Sequence, residues 1–196
     1  MKKFTTLLMA AMMLILLTAC GSSDAANDQS KTDETTPANK ILIAYFSCTG
    51  NTKHLAESTA TALSADIFEI KPKVPYTSED LDWHDKNSRT TIEMNDDSSR
   101  PEIAEKIDNF DQYSTIVIAY PIWWSKAPKI IDTFVESYDF SGKTIIPICT
   151  SGGSEIGSSG SYLATLTSNS AKWLNGQRFN TNTSADELKT WFKDKL

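Results

Sequence analysis

The sequence predicts an α/β fold of three layers, in which helices cover both faces of a parallel β-sheet. From residue 40 onward, segments that resemble strands alternate with amphipathic segments that resemble helices. The strand-like segments are almost continuously apolar, as expected of strands that are covered on both faces. Loops rich in Gly, Ser and Trp follow several of these strands. Sheets of this class bind ligands at the carboxyl ends of their strands, so these loops are the candidate site.

The first half of the alternation begins with an apolar strand over residues 41–46. A helix follows over 51–63, because small and apolar residues recur there at helical spacing on one face. Residues 66–70 are predicted as a short second strand. The run Thr-Ile-Val-Ile-Ala-Tyr over 115–120 is predicted as the third strand.

The second half begins with a helix that starts at Pro128, since proline is favoured in the first turn of a helix. Ser184 and Glu187 have the spacing of a capping box and predict the start of the last helix. The elements between them are a fourth strand, a helix and a fifth strand, over residues 143–150, 161–168 and 172–179.

Residues 71–100 form an unusually long connection between two strands. Loops longer than about 15 residues in compact domains are usually lids, binding loops or disordered segments. A lid over a ligand and a solvated excursion both fit this segment. As part of a lid, Tyr76 or Trp83 would meet the ligand and His84 would relay a proton, whereas a surface histidine without a role is the simpler interpretation.

The N-terminus has the pattern of an export signal. Lys2 and Lys3 precede an apolar run that is shorter than the roughly 20 residues needed to span a bilayer, although a retained membrane segment is the alternative. Leu-Thr-Ala-Cys-Gly at 17–21 resembles the lipobox of bacterial lipoproteins. The resemblance implies a signal peptide over residues 1–19, a diacylglyceryl group on Cys20, and a protein anchored on the extracytoplasmic side of the cell membrane.

Composition divides the rest of the chain and limits its partners. Residues 20–39 are polar and lack large apolar side chains, which predicts a flexible tether to a folded domain over 40–196. The formal net charge is −6, and removal of the two lysines in the signal peptide makes it −8. This acidity argues against nucleic-acid binding and against adsorption to anionic lipid, so we expect membrane contact through the lipid anchor only.

Two cysteines remain in the predicted domain, Cys48 and Cys149. An exported protein permits a disulfide, but the strands that precede these cysteines are not expected to be neighbours, which disfavours a bridge. The sequence contains no CxxC motif and no His/Cys cluster, so the cysteines do not indicate a metal site.

The loop Ser47-Cys48-Thr49-Gly50-Asn51-Thr52 joins the first strand to the first helix and suits a phosphate group. The first amides of a helix are unpaired, and the helix dipole favours an anion there. Three hydroxyl groups add donors, and Gly50 lets the backbone approach closely. An ordinary Ser/Thr-rich helix cap is the alternative interpretation.

The same loop resembles the FMN-phosphate loop of flavodoxins, [ST]-x-T-G-x-T, with matches at Ser47, Thr49, Gly50 and Thr52. Cys48 occupies the variable position, either as filler or as a redox-sensitive thiol whose thiolate the helix N-terminus would favour. The dinucleotide pattern GxGxxG and the phosphate-loop pattern GxxxxGK[ST] are absent from the sequence.

Two further loops extend the resemblance. Pro121, Ile122, Trp123 and Trp124 follow the third strand, where flavodoxins place residues that flank the flavin ring; covering the sheet edge is the alternative role of the indoles. In the loop after the fourth strand, Ser151, Gly152 and Gly153 match the segment that borders the polar edge of the ring in that family. A ligand-free glycine turn is the alternative there.

The motifs YPIWW and TSGGSEIG are similar to those of a flavodoxin-like subfamily that includes bacterial lipoproteins and NAD(P)H-dependent oxidoreductases. The resemblance implies a flavodoxin-like three-layer α/β/α fold with a five-stranded parallel sheet of order 2-1-3-4-5. It also implies one noncovalently bound FMN. The residues implied to bind it are Ser47, Cys48, Thr49, Gly50, Asn51, Thr52, Pro121, Ile122, Trp123, Trp124, Ser151, Gly152 and Gly153.

Two functional classes follow from this resemblance. As an electron carrier, the protein would shuttle electrons between membrane-associated proteins and turn over no small substrate. Across the two classes, the redox partner is a partner protein or a small acceptor, which the sequence does not identify. As an enzyme, it would oxidise NAD(P)H or a quinol and reduce a quinone-type acceptor through FMN. Export favours the carrier because the NAD(P)H pool is cytoplasmic, while the long connection favours the enzyme. A degenerate binding domain is a third interpretation.

Overall fold

The computed structural model describes residues 40–196. The predicted signal peptide, the lipidation site Cys20 and the predicted tether lie outside the described residues. No helix within 40–196 has the length and apolar character required to cross a membrane.

The described part of the chain alternates strands and helices. In chain order the elements are β1 (Lys40–Tyr45), α1 (Asn51–Leu63), β2 (Asp66–Glu69), α2 (Arg89–Asn95), a 3-10 turn (Phe110–Gln112), β3 (Tyr113–Pro121), α3 (Lys129–Glu136), β4 (Thr144–Thr150), α4 (Ser159–Ala164), β5 (Lys172–Trp173), β6 (Gln177–Arg178) and α5 (Ala185–Phe192).

The strands form one parallel sheet of order β2-β1-β3-β4-β5, which confirms the predicted fold class and strand order. Strand β3 lies at the centre and alternates its side chains between two cores. Ile116 and Ile118 pack under α3 and α4, while Val117 packs under α1 and α5. The carboxyl ends of β1, β3 and β4 therefore lie along the same edge of the sheet.

The prediction of one fifth strand over 172–179 is wrong, because this segment forms two short strands that both pair with β4. The carbonyl groups of Ile145 and Cys149 accept hydrogen bonds from this side. Backbone groups of every second residue point to the same side of a strand, so the backbone nitrogen of Pro147 also faces β5 and β6. Proline has no amide proton to donate there, which interrupts the ladder of hydrogen bonds. Gly176 passes so close to Pro147 that a Cβ there would lie 2.0 Å from the proline carbonyl oxygen.

Helix α4 begins two residues before the predicted 161–168 and ends four residues earlier. The Ser159 hydroxyl is buried, donates to the carbonyl of Ile156 at 2.7 Å, and lies 2.9 Å from the hydroxyl of Tyr120. Anchoring this first residue to β3 explains the earlier start.

Many of residues 71–100 are exposed to solvent, but the segment is anchored to the domain, because Tyr76 packs against Phe46 and Trp123. Pro72 forms an antiparallel bridge with Ile103. Helix α2, which the sequence did not predict, lies between these two residues along the chain. The Ser88 side chain caps α2 by accepting from the amide of Thr91. Helix α2 is only seven residues long and contains two threonines, which are poor helix formers, so its sequence pattern is weak.

A buried charged cluster, defined here as Arg100, Lys129, Asp132 and Tyr162, holds α3 against α4 and the end of the long connection. Lys129 is 2% exposed and Asp132 is 0% exposed. The Asp132 Oδ2 atom accepts from Tyr162 at 3.0 Å and from Lys129 at 3.3 Å, and Arg100 lies 3.7 Å away. Within the described residues Oδ1 of Asp132 has no hydrogen-bond partner, and burial raises the pKa of this carboxyl group.

Candidate functional site

A cavity of about 910 Å³ lies at the carboxyl ends of β1, β3 and β4. Every predicted site residue except Gly50 lines it. Trp83, named above as a residue that would meet the ligand, also lines the cavity. The lining residues that were not predicted are Leu81, Thr90, Thr150, Ser154 and Thr181. The lining consists of Ser47, Cys48, Thr49, Asn51, Thr52, Leu81, Trp83, Thr90, Pro121, Ile122, Trp123, Trp124, Thr150, Ser151, Gly152, Gly153, Ser154 and Thr181.

The cavity wall is uncharged. Its residues, all drawn from the described part of the chain, include no Asp, Glu, Lys, Arg or His. Hydroxyl groups of serine and threonine, backbone groups, and apolar side chains form the surface. A ligand bound here must therefore be recognised through neutral donors, aromatic contacts and the dipole of α1.

The hydroxyl groups of the first loop are oriented by the loop itself. The amide of Gly50 donates to Ser47 Oγ at 3.1 Å, and the Asn51 side chain donates to Thr49 Oγ1 at 3.2 Å. Each hydroxyl oxygen thus accepts from the protein and keeps its single proton available to donate to an anion. Gly50 has a φ of 89°, a conformation that a residue with a Cβ rarely adopts.

Helix α1 begins directly after this glycine. Among the described residues no side chain caps its first amides, and its first turn contains no acidic residue. The amide of His54 bonds to the carbonyl of Gly50, which starts the helical ladder. The preceding amides of Asn51, Thr52 and Lys53 therefore lie at the loop with the positive end of the helix dipole, which suits an anionic ligand.

A buried hydroxyl pair joins the first loop to the third. Thr52 Oγ1 lies 2.7 Å from Thr150 Oγ1, at the end of β4, and both residues line the cavity. Sequence reasoning missed Thr150. Its position as the last residue of a predicted strand was an available signal, but its contact with a residue 98 positions earlier was not.

The second loop makes a tight turn at the cavity. The amide and carbonyl groups of Trp123 and Lys126 exchange hydrogen bonds of 3.0 and 2.8 Å. Trp124 and Ser125 between them have φ angles of 47° and 62°, as in a type I′ turn. Left-handed backbone costs a non-glycine residue about 1–2 kcal/mol, so Trp124 is held in a strained position at the site.

The two tryptophans of this loop have different environments. Trp123 packs edge-on against Phe46 and Tyr76, with ring centroids 5.5 and 5.7 Å away. Trp124 is 42% exposed. Trp123 is therefore fixed by protein aromatic groups while it lines the cavity, and Trp124 presents an open face.

The third loop is shaped by a serine. Ser151 Oγ accepts from the amides of Gly153 and Ser154 at 3.2 and 2.9 Å. Gly152 and Gly153 do not use the positive φ that glycine allows, and a Cβ on either would meet no atom within 4 Å. Their backbone thus borders open space in the cavity, where a planar ligand can approach.

The Cys48 residue is partly open to solvent but lines the cavity, and its surroundings favour the protonated thiol. Desolvation by burial raises the pKa of Cys48 to about 12; the Arg89 guanidinium opposes this shift and Glu93 adds to it. The expectation that the helix N-terminus favours the thiolate is therefore wrong. Cys48 and Cys149 are both free thiols in the structure.

Arg89, the cation that opposes the raised pKa of Cys48, is already paired. Arg89 donates to Glu93 at 2.7 Å, and its guanidinium lies 4.0 Å from the ring centre of Tyr76. The Tyr76 hydroxyl donates to the same carboxylate at 2.6 Å, and burial raises the pKa of Tyr76 above its ordinary value. This network fixes α2 beside the cavity without adding a free charge to the cavity wall.

No group of three or more His, Cys, Asp or Glu side chains within residues 40–196 has a geometry that could hold a metal ion. The lining of the cavity offers neutral hydrogen-bond donors for an organic anion and aromatic side chains for a planar ring.

Comparison with known proteins agrees with this geometry. The family model described as flavodoxin matches residues 40–195. A crystal structure of a provisionally assigned flavoprotein from Bacteroides eggerthii shares 43% identity over 79% of this chain and 96% of the other, with a TM-score of 0.75. One from Bacteroides uniformis shares 45% identity over 79% and 98%, also with a TM-score of 0.75.

A more distant structure, a flavoprotein in complex with FMN from Lactobacillus acidophilus, shares 21% identity over 81% of this chain and 98% of the other. Its TM-score of 0.56 supports the shared fold, and at this low identity it supports nothing beyond the fold. No curated protein matches the chain. With the family model covering nearly all of the described residues, the chain belongs to the flavodoxin family.

Proposed function

We propose that this chain is a lipid-tethered flavoprotein that binds one FMN and transfers electrons. FMN is the cofactor of the flavodoxin family, to which the chain belongs. The observation that carries the proposal is the convergence of three loops, from β1, β3 and β4, on one uncharged cavity rich in hydroxyl and aromatic groups.

The first loop fits the phosphate group of FMN. Ser47 and Thr49 have hydroxyl oxygens that already accept from the loop, so each can donate its proton outward. The uncapped amides of α1 supply further donors and a positive dipole end. A phosphate group held in this way needs no lysine or arginine, and the cavity wall has none within the described residues.

The second and third loops fit the ring. Trp123 and Trp124, with Pro121 and Ile122, would border its faces and exclude water. Ser151 keeps a proton to donate to the polar edge, and the backbone of Gly152 and Gly153 borders open space beside it.

When bound, FMN supplies the electron-accepting ring, and the protein positions it and sets its environment. The uncharged wall gives no local countercharge, so burial at this site would penalise an anionic form of the ring. The Cys48 thiol, with its pKa raised to about 12, would remain neutral beside it.

A second candidate function is a quinol- or NAD(P)H-dependent oxidoreductase that reduces a quinone-type acceptor through FMN. The observation that favours it is the contribution of Leu81, Trp83 and Thr90 to the cavity wall, because these residues lie on the long connection and not on the three loops. An electron carrier whose partners are all proteins would not need the long connection to cover part of the cavity opening.

The lipid tether is proposed from the sequence around Cys20. The full chain should fractionate with membranes, on the extracytoplasmic side, and should incorporate radiolabelled palmitate, whereas Cys20→Ala should remain unlabelled. Absence of label in the unmodified chain would contradict the lipid anchor without bearing on FMN.

The flavin assignment is tested by titrating the full chain with FMN and recording quenching of flavin fluorescence. We expect saturable binding at about micromolar concentration or below. Anaerobic mixing of the loaded protein with NADH, NADPH and a menaquinol analogue then separates the candidates. Bleaching by none supports electron transfer between proteins, and bleaching by any of them supports the oxidoreductase. Absence of FMN binding would overturn the proposal.

A further inference from the structure

An ion pair on the long connection lies beside the cavity. Arg89 and Glu93 are one helical turn apart on α2, and the Arg89 Nε atom donates to the Glu93 carboxylate at 2.7 Å. Their side chains are 25% and 12% exposed, so solvent screens this pair less than it screens a pair on the open surface. Thr90, which follows Arg89 on the helix, lines the cavity. The helix that carries the pair therefore forms part of the cavity wall.

An aromatic ring connects this pair to the second loop of the cavity. The Arg89 guanidinium lies 4.0 Å from the ring centre of Tyr76, and the Tyr76 hydroxyl donates to Glu93 at 2.6 Å. The same ring packs edge-on against Trp123 at a centroid distance of 5.7 Å, and Trp123 lines the cavity. These distances place the guanidinium at most about 10 Å from the centre of the Trp123 ring, which is about one Debye length at 0.1 M salt. A net charge on the pair would therefore act on a ligand in the cavity.

The two charges act on the cavity wall with opposite signs. Cys48 lines the cavity, and although burial dominates the pKa of its thiol, Arg89 lowers that pKa while Glu93 raises it. No charged side chain lines the cavity within the part of the chain that the structure describes, so ionic groups of the wall itself do not mask the pair. Removing one charge would leave the other uncompensated beside the ligand.

We infer that Glu93 is a positioning residue of the flavin site: its carboxylate holds Arg89 and Tyr76 behind Trp123 and cancels the positive charge that Arg89 would otherwise direct at the flavin. A cation near the ring favours the reduced, negatively charged form of the flavin. The paired carboxylate therefore keeps the reduction potential of bound FMN low. This inference rests on the proposed function, because it requires FMN in the cavity with its ring beside Trp123.

The first test measures the charge balance in the cofactor-free full chain. Glu93→Gln keeps an oxygen that accepts from Arg89 but removes the negative charge, so the pKa of Cys48 should fall. Alkylation of Cys48 by iodoacetamide at pH 8, followed by mass spectrometry, should be about three- to tenfold faster, since one pKa unit changes the thiolate fraction tenfold. Glu102→Gln is the matched control, because it removes the same charge from an exposed ion pair with Lys73. Its rate should equal that of the unmodified protein.

The second test measures the two-electron reduction potential of FMN bound to the full chain. Glu93→Gln should raise the affinity for reduced FMN relative to oxidised FMN by about three- to tenfold, which corresponds to a potential higher by about 15–30 mV. Glu102→Gln should leave the potential unchanged. Glu93→Asp shortens the side chain but keeps its charge, so its potential and its Cys48 alkylation rate should stay close to those of the unmodified protein.

The conservative variant separates charge from packing. Equal shifts of the potential in Glu93→Asp and Glu93→Gln would show that packing alone is responsible, and would overturn the inference. An unchanged or lower potential in Glu93→Gln would also overturn it. FMN binding with an unmoved potential rejects this inference only, whereas absence of FMN binding to the unmodified protein rejects the proposed function as well.

Discussion

The ligand cavity and the buried face of α3 use charge in opposite ways. The cavity wall has no ionisable carboxylate, amine or guanidinium among its described residues, although its ligand is proposed to be an anion. In the charged cluster on α3, the carboxylate of the fully buried Asp132 lies 3.3 Å from the Lys129 amine and 3.7 Å from the Arg100 guanidinium. The comparison indicates that this molecule uses ion pairs to hold its elements together, whereas in the proposed function neutral donors hold FMN.

The difference has a physical basis. A buried ion pair is strongly destabilising when one partner is removed, so it fixes the relative position of the segments that supply the charges. Here those segments are α3 and the end of the long connection, which is also tied by a bidentate contact between Arg100 and Glu136. A neutral cavity, in contrast, can bind and release a cofactor without leaving a buried charge unpaired.

The largest expected effect comes from removing one charge of the α3 cluster. Lys129→Met should lower the free energy of unfolding of the cofactor-free protein by about 3–5 kcal/mol, because Asp132 loses a partner while it stays buried. Urea denaturation measures this loss. The double variant Lys129→Met with Asp132→Leu should recover most of it. A single variant as stable as the unmodified protein would show that the cluster does not hold α3.

The next prediction concerns the neutrality of the cavity wall. With its pKa raised to about 12, Cys48 should react with iodoacetamide at neutral pH on the order of a thousandfold more slowly than a thiol with the ordinary pKa of 9. The rate should increase as the pH rises through this range, since the thiolate is the nucleophile. Mass spectrometry of the alkylated protein follows the reaction. A half-maximal rate near the ordinary pKa would contradict the desolvation of the Cys48 thiol at the cavity wall.

A smaller effect is expected from the hydroxyl pair that joins the first and third loops. Thr150→Val keeps the side-chain shape but leaves Thr52 without this partner. FMN affinity should fall by about three- to tenfold, which corresponds to about one hydrogen bond. Thr61→Val is the control, because Thr61 also makes a hydroxyl bond but lies on the exposed surface of α1. Equal affinities for both variants would remove Thr150 from the site.

The smallest expected effect is an increase in stability. Trp124→Asn should raise the free energy of unfolding by about 1 kcal/mol, because asparagine tolerates the left-handed backbone better than tryptophan does. Thermal or urea unfolding of the cofactor-free protein checks this. A loss of stability would mean that the Trp124 ring contributes packing that outweighs the strain of its backbone.

The sequence predicted the fold class and the loops that form the cavity, because these depend on patterns within short segments. The strand order was instead implied by the resemblance to flavodoxins. Ser47 to Thr52 is recognisable as a strand-to-helix loop from its neighbours alone. The pairing of Thr52 with Thr150 joins residues 98 positions apart and leaves no local trace. Helix α2 was missed because its short, threonine-containing sequence depends on tertiary contacts.

Other differences could have been anticipated in part. Pro147 in a predicted central strand was a sign that one neighbouring ladder would be interrupted, as the split between β5 and β6 shows. The raised pKa of Cys48 could not be anticipated, because it reflects desolvation of the thiol in the folded domain, which outweighs the local effect of the helix terminus. Local motifs therefore identified the cavity, and long-range packing determined its electrostatics.

The central claim is that neutral hydroxyl and amide groups of the first loop hold the phosphate of FMN. Calorimetric titration of the unmodified protein and Thr49→Val with FMN and with riboflavin tests it most directly. Because a hydrogen bond to a charged group contributes about 1.5–3 kcal/mol, FMN affinity should fall by about ten- to a hundredfold in the variant. Riboflavin affinity should stay within about twofold, since that ligand has no phosphate. Equal losses for both ligands, or no heat with FMN, would contradict the account.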